Sequence, residues 1–258
     1  MKLLIDLGNT RLKCALWDGS ALRFLGALPH AGADIQMDFD LLWNEAGPVS
    51  AVLVASVAGA ALGDLIARKV HEQFGVQAEF VLSPVSACGV RNAYAEPDRL
   101  GVDRFLGLVA LHAVESGPCV LASCGTALTL DALAADGTHL GGLIAPSPPL
   151  MRDALTGATA RLSMPQAARV VERADNTGDA IESGVWLAGV ALLERFVAHA
   201  TTTFGSAPSI VLTGGGAARL STLIGPAHRT DAELVLRGLA IYAAGRPADV
   251  LPVATRVT

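Results

Sequence analysis

The sequence predicts an α/β fold in two lobes. Three observations carry that expectation: a large apolar fraction, strand and helix patterns that alternate along the chain, and an opening hairpin pattern that recurs in the second half. Of 258 residues, 52% are hydrophobic and 17% charged, which supplies material for buried sheets and helices and argues against disorder. This length permits one large unit or two lobes of about 120 residues each.

The elements follow in order. Lys2 to Asp6 is a short apolar run, Gly8-Asn9-Thr10 supplies turn chemistry, and Arg11 to Trp17 resumes before Asp18-Gly19, which together read as a β-hairpin. Ala51 to Ser56 is a buried-strand candidate, a helical pattern from Ala60 to Phe74 stops at Gly75, and Val76 to Leu82 reads as another strand. From Asp98 to Val114 the residues Leu100, Phe105, Leu108, Val109 and Leu111 recur at helical spacing, and Ser116-Gly117-Pro118 ends that element. We place the lobe boundary there, giving 1–116 and 117–258.

The opening hairpin recurs 117 residues later: Ile5 to Leu16 lines up with Ala122 to Leu133, and each copy then reaches a turn, Asp18-Gly19 and Asp136-Gly137. Its place at the start of each lobe favours a duplication.

Composition limits the function classes. Nineteen basic against 24 acidic residues leave a net charge of -5, with no Lys or Arg run, so nucleic acid is not an expected partner. The apolar start Leu3-Leu4-Ile5 is too short for a signal-peptide core. No stretch approaches the roughly 18 apolar residues that span a bilayer, so a cytoplasmic location without membrane contact is expected. Cys14, Cys88, Cys119 and Cys124 form no CxxC pair and are expected as free, buried thiols.

The chemistry points to phosphate. An Asp-x-Gly-Asn-Thr turn between strands offers a carboxylate for a metal-bound phosphate, a glycine that lets backbone N–H groups approach, and amide and hydroxyl donors for phosphate oxygens. The same string is also an ordinary hairpin turn. A second copy favours phosphate, because two hairpins facing each other across a cleft would grip a triphosphate from both sides.

Six strings in fixed order extend this pattern: Asp6-Leu7-Gly8-Asn9-Thr10 with Lys13, Gly101-Val102-Asp103-Arg104, Gly125-Thr126-Ala127-Leu128-Thr129, Gly141-Gly142-Leu143-Ile144-Ala145-Pro146, Asn176 to Gly184, and Thr213-Gly214-Gly215-Gly216. Together they resemble the type III pantothenate kinases, of the acetate kinase, sugar kinase, Hsp70 and actin superfamily. The resemblance implies two RNase H-like lobes with ATP between them, and phosphorylation of pantothenate, the first step toward coenzyme A. It implies that Asp6 holds a magnesium–phosphate assembly, that Gly8, Asn9, Thr10, Lys13, Gly125 and Thr126 contact the phosphates, and that Gly214 and Gly215 lie near the nucleoside. Asp103 would be the general base. Tyr94, Gly101, Val102, Arg104 and Thr177 would bind pantothenate, with Arg104 free to take its carboxylate. Family members are homodimers, and Thr177 would reach the partner's pocket.

Without the resemblance, Asp103-Arg104 is also an exposed pair at a helix start, Tyr94 a packed loop aromatic, and Thr177 the cap of a helix running to about Thr203. Two departures stand out. Ser123 occupies the place of an Asp that helps to bind K+ or NH4+, and a neutral hydroxyl is a poorer cation ligand. Pro146-Ser147-Pro148-Pro149 replaces a Pro-Gly sequence, so that loop is expected to differ in shape. The competing functions are a kinase for another small hydroxy compound on the same fold, and a non-catalytic ATP-binding accessory factor for transcription.

Overall fold

A computed structural model describes residues 1–30, 39, 42–158 and 168–245. The first sheet contains β1 (Lys2–Leu7), β2 (Arg11–Trp17), β3 (Leu22–Pro29), β4 (Ala51–Ser56) and β5 (Ala78–Val81), in the order β3-β2-β1-β4-β5. Strands β1 to β3 are antiparallel, and β4 and β5 run parallel to β1. After a small ribbon of β6 (Ser86–Ala87) and β7 (Val90–Arg91), the second sheet contains β8 (Cys119–Cys124), β9 (Ala127–Leu133), β10 (His139–Pro146), β11 (Ser209–Thr213) and β12 (Arg229–Thr230). Its order, β10-β9-β8-β11-β12, repeats that of the first sheet. This is the doubled RNase H-like arrangement expected.

The helices that position the site and the cores are α1 (Ala60–Phe74), α2 (Val102–His112), α3 (Pro148–Ala158), α4 (Thr177–Phe204), α5 (Ala217–Ser221) and α6 (Leu234–Ala244). The middle of β1 is apolar without alternation, and Leu3, Leu4 and Ile5 are fully buried because both faces of the sheet are covered. One face meets Phe39, Trp43 and Ile66. The other meets a core shared by both sheets, in which Phe105 and Leu108 of α2 and Leu236 and Leu239 of α6 pack between Leu4, Leu53, Leu121 and Val211. Helix α6, late in the chain, thus packs against β1 and β4 of the first sheet. The outer face of the second sheet is covered by Trp186, Val190 and Leu193 of α4.

Several local expectations hold. Helix α1 stops where Gly75 adopts a left-handed φ of 68° and returns its N–H to the His71 carbonyl, the glycine cap that ends many helices. The four cysteines are free; Cys14, Cys119 and Cys124 are buried and Cys88 is half-buried. Burial pushes the thiols of Cys14 and Cys119 up to about 12 and that of Cys124 up to about 11, which keeps them protonated and unreactive. No helix among the described residues is long and apolar enough to cross a membrane.

Other boundaries differ. Helix α2 begins at Val102, not Asp98, because Pro97–Arg99 forms a single tight turn and Leu100 is extended at ψ 127°. Strand β5 is confined to Ala78–Val81 within the wider apolar run. The Pro146-Ser147-Pro148 loop starts a helix: Ser147 is buried, its hydroxyl accepts the Leu150 N–H at 3.4 Å, and Pro148 is the first residue of α3. Serine before proline is a natural helix start.

The repeat also changes register. Leu7 pairs with Leu12 in the first hairpin, and Cys124 pairs with Leu128 in the second. The second turn is one residue shorter, so the offset of 117 between β1 and β8 becomes 116 between β2 and β9. Thr126 therefore corresponds to Thr10, where the ungapped alignment paired it with Asn9, and Thr129 corresponds to Lys13.

Candidate active site

The two glycine turns meet. The Gly8 N–H donates to the Arg11 carbonyl at 3.0 Å and the Gly125 N–H to the Ala127 carbonyl at 2.9 Å, which closes each turn. At the turn tips, Thr10 Oγ1 and Thr126 Oγ1 lie 2.8 Å apart. Gly8, Asn9, Thr10, Gly125 and Thr126, far apart in sequence, thus form one wall. A third turn joins them. Gly214 follows β11 at φ 88°, where a Cβ would stand 2.5 Å from the Cys124 carbonyl oxygen, so only glycine fits. The Gly216 N–H donates to that oxygen at 2.8 Å, which sets the Gly214-Gly215-Gly216 turn against the second glycine turn.

Sequence reasoning missed His30. Its backbone N–H donates to the Thr10 carbonyl at 3.2 Å, and its Nε2 lies 2.6 Å from the Gly8 carbonyl. A carbonyl only accepts, so Nε2 carries the proton. With these two carbonyls tied back, the trans peptide planes direct the N–H groups of Asn9 and Arg11 the opposite way.

The carboxylates lie beside these turns. Asp6 pairs in register with Lys13, whose Nζ is 3.9 Å from its carboxylate and donates to the Ala232 carbonyl at 2.9 Å. Burial pushes the Asp6 carboxyl up to about 6, with Lys13 opposing the rise and Asp103 adding to it. Asp103, in the first turn of α2, is also raised: burial dominates, the Arg104 N–H and charge oppose it, and Asp131 adds to it. Asp103 is therefore close enough for its charge to act on Asp6. Asp103 is also tied to its own helix, because Oδ1 accepts the Arg104 N–H at 2.8 Å.

Arg104 departs from its expected state. Its guanidinium is not free: Nε donates to Asp131 Oδ2 at 2.8 Å, Nη2 to Asp131 Oδ1 at 2.6 Å, and Nη1 to the Tyr94 hydroxyl at 3.0 Å. Arg104 is 4% exposed. A charge this buried needs a partner, and the β9 strand reading Leu128-Thr129-Leu130-Asp131 supplies it. Burial works against the Arg104 charge, and the Asp131 fork more than restores it, so its pKa is held above the ordinary value. His139 on β10 completes the cluster, with Nε2 2.9 Å from Asp131 Oδ1 and its ring stacked at 6.3 Å on Tyr94. Neither Asp131 nor His139 was singled out from sequence. An acid within an apolar strand was the available signal.

The remaining predicted residues divide. Gly101 caps α2 beside Asp103, and Val102 is buried under the helix start. Tyr94 is oriented by its backbone N–H, which donates to Asn92 Oδ1 at 3.0 Å. Thr177 stands apart. It is the first residue of α4, and the cap is Asn176, whose side chain accepts the Asp179 N–H at 2.9 Å. Thr177 lines an open apolar groove of about 1290 Å³ with Pro146, Leu150, Met151 and Ile181, in which none of the other predicted residues takes part. The convergent donors and carboxylates lie at the turns and not in this groove.

Ser123 pairs in register with Thr129 on one side and Thr213 on the other. These three hydroxyl residues stand where the first sheet has Asp6, Lys13 and Ala55. The Thr129 hydroxyl is buried without a hydrogen-bond partner.

A profile of the Type III pantothenate kinase family matches residues 2–199. A Type III pantothenate kinase from Xanthomonas campestris pv. campestris is 42% identical over 240 residues, covering 93% of this chain and 96% of the relative. Another, from Nitrosococcus oceani, is 36% identical over 247 residues, covering 93% and 92%. Among solved structures, a Baf family transcriptional activator from Campylobacter jejuni superposes with a TM-score of 0.57 at 22% identity, over 92% of this chain and 94% of that one; that likeness speaks to the fold alone. A matched profile over most of the chain, relatives alike over 93% of it, and convergent glycine turns lead to one conclusion: the chain belongs to the type III pantothenate kinase family.

Proposed function

We propose that the protein phosphorylates pantothenate with ATP, the first step of coenzyme A biosynthesis, in a cleft between lobes 1–116 and 117–258. The observation that supports this reading is the 2.8 Å meeting of Thr10 and Thr126, which brings both glycine turns together beside the carboxylates of Asp6 and Asp103. Gly8, Asn9, Thr10, Gly125 and Thr126 hold the phosphates, Lys13 adds an ammonium, and Gly214 and Gly215 leave room for the nucleoside. Asp6 fits a phosphate-bound Mg2+: magnesium usually takes one or two carboxylates plus phosphate oxygens, and Asp6 is buried with Lys13 as a distant counter-charge. When bound, the ion neutralises developing phosphate charge.

Asp103 is the base. It takes the proton of the pantothenate primary hydroxyl as that oxygen bonds to the γ-phosphorus and the bond to the ADP oxygen breaks. Positioning and neutralisation carry most of such a reaction, and a carboxyl raised by burial is a better proton acceptor than an exposed one. Tyr94, Gly101, Val102 and the two N–H groups of Arg104 left over from Asp131 and Tyr94 bind the acceptor. K+ or NH4+ falls on the Ser123 hydroxyl row, which lacks a charge to hold it strongly.

We also propose a homodimer through α4. The first half of the helix carries small apolar residues on its exposed side. Its uncovered stripe runs through Ala180, Gly184, Ala188 and Ala191, flanked by exposed Leu143, Ile144, Leu150 and Leu155. Thr177 begins that stripe, where a partner subunit can meet it.

The direct test is a coupled assay of purified protein with ATP, Mg2+ and pantothenate, with and without K+ or NH4+. Turnover of pantothenate with a weak response to the monovalent ions is expected; no ADP release on pantothenate addition under any salt would overturn the reading.

A further inference from the structure

We infer that Asp131 and His139 are positioning residues for the acceptor site: they fix the Arg104 guanidinium so that only its end-on edge is left to recognise a carboxylate. This rests on the pantothenate reading above and adds to it the residues that set selectivity for an acidic acceptor.

Arg104 carries five N–H donors in a rigid plane. Nε and one N–H of Nη2 form the side-on fork to Asp131, and one N–H of Nη1 goes to the Tyr94 hydroxyl. One N–H on Nη1 and one on Nη2 remain. With Tyr94 taking the Nη1 hydrogen on the Cδ side, these two are parallel along the end of the guanidinium, an arrangement that matches a carboxylate.

The clamp behind the guanidinium is complete. Asp131 is fully buried, and its Oδ1, which takes Arg104 Nη2, is also held by His139, itself 1% exposed. The Ala93 N–H points at His139 Nδ1 from 3.5 Å, so Nδ1 accepts and Nε2 carries the proton toward Asp131. His139 also stacks on Tyr94, and the Arg104 guanidinium lies 5.7 Å from the Tyr94 ring centre. Four side chains from a loop, α2, β9 and β10 thus fix one another. Space for the pair depends on Gly142, where a Cβ would lie 2.5 Å from Asp131 Oδ1 and 2.8 Å from Arg104 Nη2.

The charges of Arg104 and Asp131 offset each other, so attraction of an acidic acceptor rests on the direction of the two remaining N–H groups. A misplaced donor near a reacting group costs about a hundredfold for a shift of 1 Å, and a hydrogen bond left unmade in a dry pocket is costly. Loosening the clamp therefore lowers discrimination between pantothenate and its alcohol analogue, in which a hydroxyl replaces the carboxylate.

The experiment compares kcat/KM for pantothenate and for the alcohol analogue in the wild-type protein, His139→Leu, His139→Gln and Asp131→Asn, with KM for ATP and thermal unfolding measured in parallel. The expected wild-type preference for the carboxylate falls about tenfold in His139→Leu and Asp131→Asn. His139→Gln, which keeps an N–H donor, recovers most of it, and KM for ATP stays within about twofold. Equal losses on both acceptors, or an unchanged preference in folded His139→Leu, would overturn the proposal. A wild-type protein that turns over both acceptors equally would instead sink the carboxylate role of Arg104, and one that turns over neither would sink the pantothenate reading itself. If Asp131→Asn does not fold, the two His139 variants decide.

Discussion

The two hairpins share a path and differ in chemistry. In the first, Asp6 and Lys13 stand in register above a turn containing Gly8-Asn9-Thr10; in the second, Ser123 and Thr129 occupy the same places above a turn shortened by one residue. One half of the molecule supplies charge and the other supplies hydroxyls and backbone, although the strand order is the same in both. On the proposed function, the duplicated scaffold would hold a triphosphate from both sides while treating its charge asymmetrically. The proposed acceptor side draws on both halves: Asp103 and Arg104 come from the first, and Asp131 and His139, which hold Arg104, come from the second.

The largest expected effect falls on that charged side. Asp103→Asn should lower kcat by about a hundred- to ten-thousandfold while calorimetric binding of a non-hydrolysable ATP analogue is retained; near-normal turnover would remove Asp103 from the mechanism. Next comes a direct contrast between the halves. Asp6→Asn should cost kcat/KM for ATP at least about a hundredfold, whereas Ser123→Ala should cost less than about tenfold, and equal losses would show that the halves contribute alike.

A smaller effect of opposite sign concerns stability. Burial holds the Asp6 carboxyl at about 6, against 3.8 for a free one, so the folded state binds this proton more tightly than the unfolded state does. Stability then falls as pH rises between those two values and is level above them. Asp6→Asn removes this cost, so the variant should be more stable than the parent at pH 8 by at most about 3 kcal/mol, with the gain vanishing below pH 4. Thermal unfolding across that range checks it; an advantage that grows toward low pH would contradict the assignment.

Much of this was legible from residues alone. The glycine turns, the strands around them and the stop of α1 at Gly75 were readable because glycine and apolar runs act locally. The repeat was also visible, but its register was not: an ungapped alignment cannot see that the second turn is one residue shorter, and only the strand pairing aligns Thr10 with Thr126. The start of α2 was misplaced because helical spacing continues through Leu100, where the backbone is extended.

The Arg104 environment was the larger miss. Its partner Asp131 lies 27 residues away on β9, and a side chain's freedom depends on what the fold brings to it. His30 escaped notice for the same reason, since its role is to hold carbonyls of a turn formed 22 residues earlier.

The central claim is that both turns hold one triphosphate. It is tested most directly by calorimetric binding of a non-hydrolysable ATP analogue to Thr10→Val, Thr126→Val and the double variant. We expect each single change to weaken binding by about tenfold, and the double change to cost less than the two combined because the hydroxyls also bond each other. Unchanged affinity in either single variant would mean that only one turn meets the nucleotide, and would contradict the account.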